Sequence, residues 1–389
     1  MNAYAAHAAL ELPEGGIQLP CEPQNHAHDT ARPWAQWLAG YQLEDLVQRF
    51  PVHTQEGSCW VLTLRPEIQA AWMPGHDTMA LHQHLGHAAL APDPFALERE
   101  ILIALLGSPL RFSFASLEAL ASHVRVRRNM TLAARKTALA FKTEAAERPE
   151  DHWQYDEERG FTLKPGRCLI DALIAATQPE ATGKLYDFSC YRATEYVILL
   201  GIALELKAHH PELLIDLQKL NETHAVRSGQ FHEVYLVEYG SMAQPLSAHY
   251  YVPGDRLWFR NPDERSSDVM GYEGSWVIYM GGGLFSNFWQ RDRPYTLESK
   301  AIEIYHWRDG AHTNAQGQWQ MDENVVEQQV RQTCADPQAK ARVLQRMLRL
   351  RDPQGVYAEG GCIDSTREYP RGVSPQHCEL VLPAYAAPT

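Results

Sequence analysis

Leu185-Tyr-Asp-Phe-Ser-Cys-Tyr-Arg-Ala-Thr-Glu-Tyr-Val-Ile-Leu-Leu-Gly-Ile-Ala-Leu204 joins an aromatic loop to a long apolar run, and a single thiol, Cys190, stands between them. Downstream, Ala193, Val197, Leu200, Gly201 and Leu204 recur at helical spacing, which puts Cys190 at or near the first turn of a buried helix. Unpaired N–H groups and the positive end of the helix dipole favour an anion there, and a thiol that ordinarily titrates near ~8.5 can be lowered by roughly one to several units. Lone cysteines are also among the most buried residue types and commonly act as small apolar side chains. This stretch by itself leaves a nucleophile and a packed core residue both open.

A chain of 389 residues, 45% of them hydrophobic, is long enough for one large domain or for a core with sizeable extensions. The formal net charge of −13 argues against nucleic acid as a partner, since neutralising phosphates needs at least a local surplus of Lys and Arg. No apolar run reaches membrane-spanning length, and Met1 to Pro23 shows neither a basic leader nor a continuous apolar stretch, so a cytoplasmic protein without membrane contact is expected. Cys21, Cys59, Cys168, Cys190, Cys334, Cys362 and Cys378 lie scattered without Cys-x-x-Cys pairs, which indicates neither a zinc site nor a disulfide framework. His76, His82, His84 and His87 have no paired carboxylate or cysteine beside them and read as surface histidines. No metal or organic cofactor is expected.

The opening residues to Pro33 are rich in Pro, Gly, Asn and His and read as an irregular lead-in. Trp34 to Phe50 has helical character and Ser58 to Leu64 reads as a strand. Phe95 to Leu106 forms an apolar helix that stops at Gly107-Ser-Pro. Ser113 is a candidate cap for Ala115 to Val124, with helix continuing over Arg125 to Thr143 and Arg125, Arg127, Arg128, Arg135 and Lys136 on exposed faces. Trp153-Gln-Tyr and Phe161-Thr-Leu flank Asp156 to Gly160 as a hairpin, and a helix over Cys168 to Thr177 follows, with Cys168 packed in it.

Beyond the Cys190 helix the pattern changes to short aromatic or β-branched runs: Phe231 to Tyr239, Tyr250-Tyr-Val, Arg256 to Arg260, Trp276 to Met280 and Leu284 to Trp289. Helices followed by strands imply an α+β fold. A cysteine on a helix packed against an antiparallel sheet that supplies a base is the papain-like layout, and it requires one strand to present a proton acceptor to Cys190.

Several blocks then fall in a familiar order. These are Arg127-Arg-Asn-Met, His152-Trp with the Phe161-Thr-Leu strand, Phe188-Ser-Cys190 with Ala193-Thr-x-x-Val-Ile, Gly254-Asp-x-Leu-Trp-Phe-x-Asn-Pro262, and the Glu273 segment with Val277-Ile before a Gly-rich turn and Leu284-Phe285. From about Phe95 to about Ala311 the chain resembles the spore-coat type of bacterial protein-glutamine gamma-glutamyltransferase, a small transglutaminase with an NlpC-like, papain-related core. The resemblance implies that Cys190 attacks a glutamine side-chain amide, ammonia leaves, and a lysine amine takes the acyl group to give an isopeptide crosslink between proteins.

It also implies that Glu273, the carboxylate of Gly271-Tyr-Glu-Gly-Ser, is the base. Proton transfer from a thiol to a carboxylate is uphill by about four units, or roughly 5–6 kcal/mol, unless burial raises the Glu and the helix start lowers the Cys. A dry, aromatic site is therefore expected, with Trp258, Tyr272, Trp276 and Trp289 as candidate substrate-lining residues beside Arg192, which is placed to favour thiolate or to bind an acidic group. The family's second acid, just before the cysteine, is here Ser189, with Asp187 as a possible substitute upstream. The family's histidine after the Gly-rich turn falls on Asn287, which can orient a partner but cannot act as base. His249, expected on a strand entering Pro253, is the alternative base.

The expected organisation is an extension over residues 1–93 docked on the core, a catalytic domain over 94–311, and a helical and irregular extension over 312–389. Trp34, Trp37, Trp60 and Trp72 must be buried against that core, either as a brace on its far side or across the cleft in front of Cys190. Val325 to Leu350 reads as a basic amphipathic helix that docks on the catalytic domain, and the remainder reads as irregular. Alternative functions on the same fold are a glutamine deamidase, which gives the thioester to water, and a non-catalytic binding or structural protein.

Overall fold

A computed structural model describes residues 13–21, 33–54, 57–141, 146–352 and 360–383. The N-terminal part contains β1 (Gly16–Pro20), α1 (Pro33–Gly40), β2 (Val47–Thr54), β3 (Gly57–Leu64), α2 (Pro66–Trp72), α3 (Leu81–His84), α4 (Pro94–Leu106) and β4 (Arg111–Ser113). Its four strands lie in the order β2-β3-β1-β4, with β1 antiparallel to β3 and parallel to β4. The helix expected over Trp34 to Phe50 ends at Gly40. From Val47 the chain instead pairs with β3 in an eight-position ladder, Val47 opposite Leu64, and that long-range pairing overrides the local helical character. Ile17, Leu19, Leu62, Leu64, Trp34 and Leu38 then bury against α4 and the first half of the next helix. The Asp93 side chain accepts the Phe95 N–H and Pro94 occupies the first helical position, so α4 starts where its cap and proline dictate.

Next come α5 (Leu117–Lys136), the hairpin β5 (Trp153–Asp156) and β6 (Gly160–Leu163), α6 (Leu169–Thr177), α7 (Cys190–His209), α8 (Pro211–Thr223), α9 (Ser228–Tyr235) and β7 (Leu236–Tyr239). Ser116, not Ser113, caps α5: its hydroxyl accepts the Ala119 N–H, while Ser113 ends β4. Helices α5 and α7 pack along their length, and at Gly201 the approach is so close that a Cβ would lie 2.4 Å from Met130 Cγ. Phe231 to Tyr235 is helix and not strand, because Phe231, Val234 and Tyr235 all face the core at helical spacing. Cys168 is the exposed residue preceding α6, not a packed one.

Of the exposed basic face expected on α5, Lys136 is exposed, and the arginines are corrected by the structure. Arg127 is fully buried, with Nη1 2.8 Å from Asp255 Oδ1, while Asp255 Oδ2 accepts from the Tyr239 hydroxyl and the Val252 N–H. Arg125 pairs with Glu205 and Glu118, Arg128 with Glu98, and Arg135 donates to the carbonyls of Ala91 and Met280. These arginines tie α5 to its neighbours.

The chain continues through β8 (Arg256–Arg260), α10 (Glu264–Ser267), β9 (Gly274–Ile278), β10 (Leu284–Phe285), β11 (Tyr295–Thr296), α11 (Leu297–Gly310), β12 (Ala311–Thr313) and β13 (Trp319–Met321). It ends with α12 (Glu323–Ala335), α13 (Pro337–Met347), β14 (Arg367–Pro370), β15 (Val373–Ser374) and β16 (His377–Cys378). The principal sheet has the order β7-β14-β8-β9 and is antiparallel throughout. Helix α7 covers one face, and Leu257, Phe259 and Val277 on the other meet Leu297, Ala301 and Ile304 of α11.

Three tail and strand expectations change. Tyr250 to Val252 is buried but forms no ladder among the described residues; its backbone is held by Thr78, whose hydroxyl donates to the Tyr251 carbonyl and accepts the Tyr251 N–H. The single helix expected over Val325 to Leu350 breaks at Asp336-Pro337, where proline cannot continue α12 and Asp336 caps α13. Val343 and Met347 then bury against α11. The remainder expected to be irregular supplies β14, an inner strand between β7 and β8. Among the described residues, no helix is long and apolar enough to cross a membrane.

Candidate active site

The Ser189 hydroxyl accepts the Arg192 N–H and so starts α7 with Cys190 as its first residue. Cys190 is half-buried where α7 packs on β9, the edge strand of the principal sheet, and the backbone N–H groups of Trp276 and Tyr191 favour its thiolate. Burial pushes the Cys190 thiol up; the Trp276 N–H, the Lys300 cation, the Tyr191 N–H and the Arg256 cation oppose that without reversing it. The lowering that a helix start can give is therefore outweighed here by desolvation.

Strand register builds the wall beside the sulfur. Trp258 faces Trp276 across β8 and β9, and their rings stack 5.6 Å apart at an interplanar angle of 6°. Two residues along β8, Arg256 is fully buried, its Cζ 4.1 Å from the Trp276 ring centroid and 4.3 Å from that of Tyr191. Its Nε donates to Thr194 Oγ1 at 2.9 Å and its Nη1 to Glu368 Oε2 at 2.8 Å, while His232 Nε2 lies 3.1 Å from Glu368 Oε1. One guanidinium thus joins the first turns of α7, the sheet and the C-terminal strand. Burial raises the Glu368 carboxyl, with Arg256 and then His232 opposing. Glu195, buried on α7 and paired with Arg192, is pushed up by burial to about 7.

On the other face, Lys300 of α11 is buried with Nζ 2.9 Å from Glu303 Oε1 and 4.0 Å from the Tyr295 ring centroid. Burial works against its charge, but Glu303 and Tyr295 outweigh it and hold the ammonium protonated.

The remaining candidates are placed unevenly around this centre. Glu273 immediately precedes β9, but its carboxylate is exposed and accepts the Gly271 N–H at 3.3 Å, so the dry surroundings expected for it are found at Cys190 alone. His249 lies on the connection to β8, where its carbonyl accepts from Thr78; no hydrogen bond or ring contact among the described residues links its imidazole to Cys190. Asn287 is buried and closes its own loop, donating to the Arg293 carbonyl and accepting the Gln290 N–H. Tyr272 packs edge-on against Trp307 and donates to Glu323, and Trp289 packs on Phe141 and Phe288. Arg192 is engaged by Glu195 and the Val226 carbonyl. Asp187 is buried with its Oδ1 unpartnered, and its carbonyl accepts from Arg148.

Tyr191, Arg256, Lys300 and Glu368 belong to the neighbourhood of Cys190 without having been singled out in the sequence. Lys300 had a signal, since it lies between Leu297, Ala301 and Ile304 on the apolar face of α11. Arg256 had a weaker one, a charge at the head of Leu-Trp-Phe.

A helix that starts at Cys190 and packs on the edge strand of an antiparallel sheet gives the chain an α+β fold of papain-like layout. The chain belongs to the protein-glutamine gamma-glutamyltransferase family, whose model matches residues 80–361, and its reaction is the acyl transfer of a transglutaminase. Among solved structures it is similar to the transglutaminase from Geobacillus stearothermophilus (without C-terminal extension), at 19% identity and a TM-score of 0.38, over 55% of this chain and 97% of that one. No curated protein matches it.

Proposed function

We propose that Cys190 carries the acyl group as a thioester between glutamine and lysine side chains of protein substrates, with Glu273 as base. The thiol gives its proton to the carboxylate and attacks the glutamine carbonyl carbon; the amide nitrogen leaves as ammonia with a returned proton, and a lysine amine then displaces the sulfur to form the isopeptide bond. The observation that supports this reading is the packing of the α7 start on edge strand β9, which brings the Trp276 N–H and the Lys300 and Arg256 cations near enough to Cys190 to favour its thiolate once a base accepts the proton. Glu273 stands one residue before the strand carrying Trp276, beside Gly271 and Gly274, and serves by exchanging the Gly271 N–H for the thiol proton. Trp258 and Trp276 form the apolar wall for the substrate stem, with Arg192 at the helix tip. Tyr272 and Trp289 shape the surrounding core, and Asn287 holds its loop.

The catalytic unit in this proposal is residues 94–311, with 1–93 docked on it and 312–389 returning to it. A reducing compartment such as the cytoplasm suits Cys59, Cys168, Cys190, Cys334, Cys362 and Cys378, which form no disulfide among the described residues. Mass spectrometry of a glutamine-bearing protein incubated with the enzyme and a primary amine tests the reaction. Amine incorporation is expected; a one-dalton deamidation would make the protein a hydrolase, and no change would make it non-catalytic.

A further inference from the structure

Beside the tip of α7 lies a cleft of about 390 Å³ whose polar lining is dominated by four guanidinium groups, those of Arg148, Arg159, Arg192 and Arg227. Its lining carboxylates are Glu157 and Glu158, and two of the arginines are paired from behind the wall, Arg192 with Glu195 and Arg159 with Asp156, which leaves Arg148 and Arg227 as its cations without an ion pair among the described residues. Ser189, the cap of α7, forms part of the wall, so the cleft begins one residue from Cys190. Arg192 and Tyr196, which also line it, stand roughly 200° and 240° around the helix from Cys190, so a chain leaving the sulfur reaches the cleft around the helix tip.

Arg148 carries the argument for a built site. It is only 5% exposed, with Cζ 3.3 Å from the Phe188 ring centroid and 5.0 Å from that of Phe161. Its Nη1 donates to the carbonyls of Glu147 and Asp187, its Nε is buried without a partner, and no carboxylate among the described residues forms an ion pair with it. Burial weakens the Arg148 charge, and Tyr196 and the nearby Asp187 carboxylate support it without outweighing that, so a guanidinium with no carboxylate bonded to it stays costly until one arrives. The neighbouring arginines brace the walls: Arg227 donates to the carbonyls of Glu158 and Arg159 on the hairpin, and Arg192 to that of Val226.

We propose that this cleft is a subsite for an acidic side chain of the glutamine-bearing substrate, an Asp or Glu within about four residues of the reactive glutamine, the reach of an extended chain around one helix tip. This rests on the reading that Cys190 takes the glutamine. The acid's carboxylate meets Arg148 and the N-terminal end of α7, and Phe161 and Phe188 exclude water from the pair.

The test uses glutamine peptides in which one Asp is moved through successive positions on either side of the glutamine, against an all-alanine parent. Binding to full-length Cys190→Ala is read by fluorescence polarisation, and amine incorporation by the unsubstituted chain is read as kcat and KM. One register should bind about tenfold tighter, lower KM by a similar factor with kcat little changed, and lose the gain in added salt. The ratio of acidic to neutral peptide should fall toward one in Arg148→Gln, and also in the exposed-site variant Arg159→Glu, which keeps the test open if the buried change prevents folding. Equal binding of acidic and neutral peptides at every register would overturn the subsite, as would a gain that survives in Arg159→Glu and Arg148→Gln alike. Acid-dependent binding to Cys190→Ala without any amine incorporation by the parent chain would uphold the subsite and overturn the reaction reading.

Discussion

Arg256 Nη1 stands 2.8 Å from Glu368 Oε2 inside the protein, and this contact joins β8, the neighbour of the edge strand on which Cys190 packs, to a residue 112 positions further along the chain. Glu368 lies beyond residue 361, where the family match ends, yet β14 is an inner strand of the principal sheet. The guanidinium also stacks between Tyr191 and Trp276, so the last described part of the chain helps hold the wall of the site.

Removing one partner of a buried ion pair leaves a stranded charge. Glu368→Ala should cost about 3–5 kcal/mol of unfolding free energy in urea, and the double change Arg256→Met, Glu368→Leu should recover most of it, because apolar residues of similar volume need no partner. A Glu368→Ala protein as stable as its parent would show that β14 is not anchored through Arg256.

The thiol should be slow to ionise. Alkylation of Cys190 by iodoacetamide is expected to rise with a midpoint above the usual thiol range of about 8–9, since burial dominates its surroundings. Arg256→Met should move the midpoint higher still by removing one of the opposing cations. A midpoint below the usual range would mean that the helix terminus, not desolvation, governs the sulfur. Cys190→Ala should abolish amine incorporation, and Cys168→Ser and Cys334→Ser should have modest effects because both residues are exposed.

For the base, Glu273→Gln keeps the side-chain shape and removes the acceptor, so kcat/KM should fall by about a hundredfold or more. His249→Ala and Asn287→Ala should each cost less. If His249→Ala is the more damaging, the proton goes to a Cys–His pair and the Glu273 assignment fails.

Glu100 predicts a pH dependence of stability. It is buried on α4, accepts the Gly282 N–H at 2.7 Å, and is pushed up by burial to about 7 from an ordinary 4.5, with that N–H and then Arg135 opposing. Because the folded state holds the proton more tightly, this group's contribution is full below 4.5 and is lost as pH rises through about 7. Glu100→Gln should therefore raise Tm relative to the parent at about pH 8.5, and the difference should shrink toward about pH 4. An equal Tm shift at both pH values would mean the carboxyl is not titrating in that window.

Truncation near Asp93 should give an insoluble or poorly folded protein and not a faster enzyme. Ile17, Leu19, Leu62 and Leu64 share one apolar cluster with Ile101, Leu105, Phe112 and Leu120, whereas the side chains packed around the Cys190 helix form another. A stable truncated chain with kcat/KM for small substrates raised about tenfold would instead make the extension a gate.

The sequence by itself determined the elements whose signals are local. The apolar spacing from Ala193 to Leu204 places a helix behind Cys190, Asp93-Pro94 starts α4, and the turn between Tyr155 and Phe161 closes the hairpin, each through contacts within a few residues. It also made the α+β class legible and brought Trp258 and Trp276 forward as aromatic candidates. Only the tertiary structure decided the rest. Whether Arg127 is solvated or buried on Asp255, and whether the tail is irregular or an inner strand, depend on partners 128 or more residues away that no local period encodes. The direction of the Cys190 thiol was equally out of reach. A helix terminus can be read from a few residues, but the desolvation that outweighs it exists only once α7, β9 and α11 have closed around the sulfur.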